Sequence, residues 1–140
     1  MKEEADLFKI LADPTRMKLA VLLSIKEEVC VCALAQALNE PDYKISRHMG
    51  IMRSARLVEA RREGTWMYYK LVNPRSRMEE CLWDLFRDCL TDHPAVKACL
   101  ERLDKAQCDG QEINRGEHKL FRERQDAQRG SGAGKKESGV

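Results

Sequence analysis

Residues 42–55 read DYKISRHMGIMRSA, and one residue further on 57–72 read LVEARREGTWMYYKLV. The first stretch places Ile45, Met49 and Met52 at the spacing of one narrow helical stripe and leaves Tyr43, Lys44, Ser46, Arg47 and Arg53 outward. Asp42 stands where an N-cap carboxylate would take up the orphan amides of a helix running from about Tyr43 to Ala55. The second stretch alternates instead, over Leu57–Arg62 and again over Trp66–Val72, with Glu63-Gly64-Thr65 between as a turn. A helix followed at once by a β-hairpin is expected.

Outward from this core, Val31–Leu38 suits a short helix that stops at Asn39-Glu40-Pro41. Val31–Ala55 then reads as a helix-turn-helix and the hairpin as its wing. Upstream, residues 3–11 put Leu7, Phe8, Ile10 and Leu11 at helical spacing. Asp13-Pro14 marks a second helix start that runs to about Ile25, followed by a polar connection at Lys26–Val29. Downstream of Asn73-Pro74, Ser76–Leu90 carries Met78, Cys81, Leu82, Leu85, Phe86 and Cys89 on one broad face. A last helix carries Val96, Cys99, Leu100 and Leu103. The fold class expected is mainly α with a two-stranded β wing, a winged helix-turn-helix. Its single domain covers 1–108. Residues 109–140 hold few apolar side chains and end in a Gly/Ser/Lys segment, which reads as a mostly disordered tail with a transient helix near Glu117–Gln128.

The net charge of +2 hides an uneven distribution. Residues 43–77 hold nine Lys/Arg against two Asp/Glu, while 1–42 and 78–108 are each net −3. A basic block between acidic ones is the footprint of a nucleic-acid-binding face, here double-stranded DNA. Tyr43, Lys44, Ser46 and Arg47 occupy the first turns of the second helix of the pair, the part that meets base edges. Arg61, Arg62, Gly64 and Thr65 form the hairpin tip, within reach of the backbone or minor groove. His48 admits two readings, a packing residue of that helix or a phosphate contact.

The longest apolar runs, such as Leu19–Leu23, are too short to cross a membrane. The start, MKEEAD, lacks the basic and apolar regions of a signal peptide. A cytoplasmic protein without membrane partners is expected, and its six cysteines read as thiols rather than a disulfide framework.

In combination, Leu11-Ala12-Asp13-Pro14-Thr15-Arg16, Val29-Cys30-Val31-Cys32-Ala33-Leu34, Lys44-Ile45-Ser46-Arg47-His48-Met49 and Arg61–Tyr69 are highly specific. Over about residues 5–108 the chain resembles the ArsR/SmtB family of metal-responsive winged-helix repressors, and most of all its arsenite-responsive branch. The resemblance implies a homodimer, built largely on the first and last helices, that leaves its operator when metal binds. It also implies As(III) or Sb(III) as the inducer. Two positions depart from the pattern. Arg56 stands where the family commonly has Gly, and a left-handed non-Gly residue would cost about 1–2 kcal/mol, so a differently built turn is expected. Ala35 stands where the branch often has a third cysteine.

Cys30 and Cys32 are two residues apart, about 200° around a regular helix, so they converge only at a helix start or an unwound turn. Either cysteine alone would read as a small buried hydrophobe. With the resemblance, Cys30 and Cys32 read as thiolate ligands of a soft trivalent ion. Cys81, Cys89 and Cys99 fall on apolar stripes and read as core, while Cys108, at the polar exit of the last helix, is a weak third-ligand candidate. A redox switch closing a Cys30–Cys32 disulfide is the alternative. A thiol enzyme is disfavoured, because no Gly-rich phosphate cradle or nearby catalytic His accompanies the cysteines.

Overall fold

The computed structural model describes residues 1–108 and the strand at Asn114–Glu117. In chain order the elements are α1 (Lys2–Leu11), α2 (Pro14–Ile25), β1 (Lys26–Cys30), α3 (Val31–Leu38), α4 (Asp42–Ser54), β2 (Val58–Glu63), β3 (Trp66–Leu71), α5 (Arg77–Cys89), α6 (Pro94–Lys105) and β4 (Asn114–Glu117). The expected winged helix-turn-helix is present, with α3 and α4 as its helix pair and β2–β3 as the wing.

Local chemistry sets most boundaries. Asp13 accepts a hydrogen bond from the Arg16 amide at 3.1 Å and Pro14 occupies the first turn of α2. The Ser76 hydroxyl likewise accepts from the Glu79 amide at the start of α5. Asp42 departs from expectation by one position. It lies inside the first turn of α4, and extended Pro41 is the cap residue, whose carbonyl accepts from Lys44 and Ile45. A carboxylate in that first turn still complements the helix dipole.

The turn after α4 is built as a Gly would build it. Arg56 adopts φ 61°. Its amide donates to Arg53, and the Leu57 amide donates back to Met52, the paired bonds that close a helix through a left-handed residue. The expectation of a different turn is corrected: two backbone bonds and the burial of Leu57 hold Arg56 in the costly conformation.

Lys26–Cys30 is a strand rather than a polar connection. Val29 and Cys30 pair with Tyr69 and Tyr68 of β3, so β1 extends the wing to a sheet of order β2-β3-β1-β4. One apolar residue among charged ones gave no sign of this, because its partners lie forty residues onward. β4 falls within the segment read from composition as a tail, and pairs antiparallel to β1 with Lys26 opposite Glu117. Backbone pairing satisfies the β1 edge without requiring apolar side chains. The rest of that segment, with all but the first residue of the transient helix expected near Glu117–Gln128, lies outside the described residues.

The core runs from α2 (Leu19–Ile25) through Ala33, Leu34, Ala35 and Ala37 of α3 to Ile45, Met49 and Met52 of α4. α5 turns Trp83 and Phe86 inward, with the Trp83 indole donating to the Val72 carbonyl at 3.0 Å. This is not the face expected throughout. Cys81 and Cys89 are exposed, as is Leu85, so only the edge of the broad apolar face is covered within the chain and the core reading of those two cysteines is corrected. Cys99 is buried as expected. α6 packs along α3 and commits Val96, Cys99 and Leu103 to the interior.

Candidate nucleic-acid interface and thiol site

α4 rests on the core through Ile45, Met49 and Met52, which fixes its opposite side toward solvent. Tyr43 is 73% exposed, and Ser46 and Arg47 are exposed beside it. Lys44 is partly covered, its ammonium 3.0 Å from Glu40. His48 is buried. Its Nδ1 lies 3.3 Å from Nη1 of Arg16. A guanidinium only donates, so Nδ1 accepts and the ring's proton sits on Nε2. Burial, then the nearby cations Arg16, Arg47 and Lys44, hold the imidazole below its ordinary value against the pull of Asp13. His48 is packed inward here, and Arg16, which also donates from Nε to the Ile10 carbonyl at 2.7 Å, ties the end of α1 and the start of α2 to α4.

The two wing arginines differ. Arg61 is held by Glu28 of β1 at 2.7 Å and Glu63 at 3.2 Å, with its guanidinium 4.8 Å from the centre of the Tyr68 ring. The hydrogen bonds it donates to Glu28 raise its already high affinity for the proton. Arg61 thus braces the sheet. Arg62 is exposed, as are Gly64 and Thr65 in the two-residue connection, where Gly64 takes φ +62°. Glu28 and Arg16 were not singled out from sequence, since nothing local marks an isolated acid or base as a tie between elements.

The thiol site is assembled differently from the expectation. Cys30 is the N-cap residue of α3 and is fully buried. Burial pushes its thiol up, against the pull of the Ala33, Cys30 and Cys32 amides. A helix start favours thiolate, but at Cys30 burial outweighs it. Cys32 lies one turn-edge away, partly exposed, and is disulfide-bonded to Cys108, 76 residues onward, with Cα atoms 6.3 Å apart. This corrects the reading of all six cysteines as thiols, and it also excludes Cys30 as the disulfide partner of Cys32 in this structure. The physical reason is the path of α6, which brings its exit against the start of α3.

Side chains from both helices clasp that junction. The Gln36 amide donates to the Gln107 carbonyl at 2.9 Å and accepts from the Gln107 amide at 3.1 Å. The same Nε2 lies 3.2 Å from the sulfur of Cys32 and 3.6 Å from that of Cys108. Arg102 donates to the Ala37 carbonyl at 2.7 Å, and Lys26 lies 3.8 Å from Asp104. Ala35, the family's third-cysteine position, is buried and offers only a methyl group. Among the described residues no group of three or more His, Cys, Asp or Glu stands ready to hold a metal ion. A two-sulfur pair is what the fold presents.

No helix among the described residues is long and apolar enough to cross a membrane. Residues 13–60 match the family model of the bacterial regulatory protein, arsR family. The chain is 36% identical over 108 residues to the arsenical resistance operon repressor of Escherichia coli K12, covering 77% of this chain and 91% of that one. It is 46% identical over 69 residues to the arsenic resistance transcriptional regulator ArsR2 of Pseudomonas putida KT2440, covering 49% and 59%. The solved structure of reduced HlyU from Vibrio cholerae N16961 shares the fold, with a TM-score of 0.54 at 23% identity over 63% of this chain and 90% of that one. The E. coli relative, matched over nearly its whole length, and the helix-turn-helix match together establish that the chain belongs to the bacterial arsR family, as a winged helix-turn-helix transcriptional regulator and not an enzyme.

Proposed function

We propose that the chain is a metal-responsive repressor that binds operator DNA as a homodimer and leaves it when a soft trivalent ion, As(III) or Sb(III), binds at Cys30 and Cys32. The observation that carries this reading is the placement of both cysteines at the start of α3, the helix that packs on α4. The names of the E. coli and P. putida relatives support the arsenic inducer. Tyr43, Lys44, Ser46 and Arg47 are the base-facing residues, and Arg62, Gly64 and Thr65 meet the backbone from the wing. Arg61 and His48 act behind that surface, bracing it. The homodimer, expected on the first and last helices, is proposed instead on α1 and α5, because these leave Phe8 53% and Leu85 46% exposed.

The ion supplies bonds between sulfurs. What the chain supplies is a coupling path, since displacement of the first turn of α3 is felt by α4 through their shared packing. A coupling of about 1–3 kcal/mol weakens operator binding roughly 5–150-fold. The test is an operator titration of reduced protein with and without arsenite. Arsenite is expected to weaken binding by the wild type and to have no effect on Cys32→Ser. Equal release of both proteins would end the proposal, and release by a hydroperoxide without arsenite would favour the redox alternative.

A further inference from the structure

We infer that Cys108 is itself a ligand, so that the dithiol a soft trivalent ion first meets is Cys32–Cys108, joining α3 to the exit of α6. This rests on the arsenite-type reading above and fills the position that Ala35 leaves empty. Three observations carry it. The fold brings Cys32 and Cys108 into bonding contact from 76 residues apart, with Cys32 partly exposed and Cys108 9% exposed, whereas Cys30 is fully sealed in the core. Gln36 aims one amide nitrogen at both sulfurs, a donor that favours their anionic, ligating form. The junction is held by bonds independent of the disulfide, namely Gln36 to Gln107 and Arg102 to the Ala37 carbonyl. The two thiols therefore stay neighbours after reduction.

The chemistry balances without a change in arsenic oxidation state. Two equivalents of a small thiol first reduce the Cys32–Cys108 disulfide and leave as their own disulfide. Each freed thiol then replaces one hydroxyl of arsenous acid, its proton departing with that hydroxyl as water. Two As–S bonds form and two waters leave. Cys30 replaces the third hydroxyl in the same way once the first turn of α3 opens. Sulfurs sharing an ion stand further apart than sulfurs bonded to each other. Loading therefore strains the Gln36–Gln107 clasp and moves α6 relative to α3.

The full-length reduced protein is titrated with phenylarsine oxide, a trivalent arsenical with two exchangeable positions, and adducts are read by intact mass. One adduct per chain is expected. Cys108→Ser and Cys32→Ser should each raise the half-saturating concentration by about tenfold or more. Wild-type half-saturation in Cys108→Ser, with loss in Cys32→Ser, overturns the role of Cys108 and leaves the arsenite reading standing. Wild-type half-saturation in both variants removes the arsenite reading as well. A second arm needs no variant: protein oxidised with diamide should take up no adduct, and reduction should restore it. Undiminished uptake by the oxidised protein overturns the inference.

Discussion

The α4–wing region and the α3–α6 junction differ in how far apart along the chain their partners lie. In the first, Ile45, Met49 and Met52 seat one helix, and the hairpin pairs Val58–Glu63 with Trp66–Leu71 across a two-residue connection. The hairpin register is set within a few residues and the outward side chains follow from the helical and strand periods, while Arg16–His48 and Glu28–Arg61 tie this region to the rest of the domain. In the second, Cys32 meets Cys108, Gln36 meets Gln107 and Ala37 meets Arg102, all at separations of 65 residues or more. The first region can lose an exposed side chain without losing its shape. The second exists only when the whole domain is folded, which makes it suited to reporting a chemical event to the rest of the molecule.

The largest expected effect separates the two regions by redox state. Closing a loop of this length by a disulfide stabilises a domain by about 2–4 kcal/mol. Urea denaturation of oxidised protein should therefore shift to lower concentration on adding reductant, while Cys32→Ser should not respond. A wild-type midpoint indifferent to reductant would mean that the junction is held without its covalent bond.

A smaller effect is expected on the DNA-reading side. Arg47→Ala should cost about 1–3 kcal/mol of operator binding and relax base preference, as loss of a base contact does, with the melting temperature unchanged. Arg62→Ala should weaken binding to all sequences alike and reduce the salt slope by about one. Arg61→Ala should instead lower the melting temperature, because its guanidinium spans Glu28, Glu63 and Tyr68. Equal behaviour of the two wing arginines in salt-controlled titration and melting would erase the distinction drawn between them.

The smallest expected effect is a gain. Arg56→Gly removes a left-handed penalty of about 1–2 kcal/mol and adds about 0.5–1 kcal/mol of chain entropy cost. The net result is stabilisation of up to about 1.5 kcal/mol, read by chemical denaturation. A loss of stability would show that the Arg56 side chain contributes more than its backbone costs.

The order of the six helices among the described residues, the helix-turn-helix, the wing and the outward faces of Tyr43, Ser46, Arg47 and Arg62 were all legible in the sequence. Helical and strand periods, Asp13-Pro14, Ser76 and Gly64 act over a few residues, and physics of that range is written locally. Cys30 and Cys32 were legible as a pair by their spacing, but not which of them would be accessible. Only the tertiary structure decided that Cys30 is buried and that Cys32 faces Cys108. It alone turned Lys26–Cys30 into a strand, set His48 beside Arg16 and Arg61 against Glu28, and left Cys81, Leu85 and Cys89 outward on α5. Each of these depends on a partner that no short window contains: a β3 edge for β1, an Arg16 for His48, an α6 exit for Cys32. Burial and pairing across such distances are settled by how the elements pack, after the local rules have done all they can.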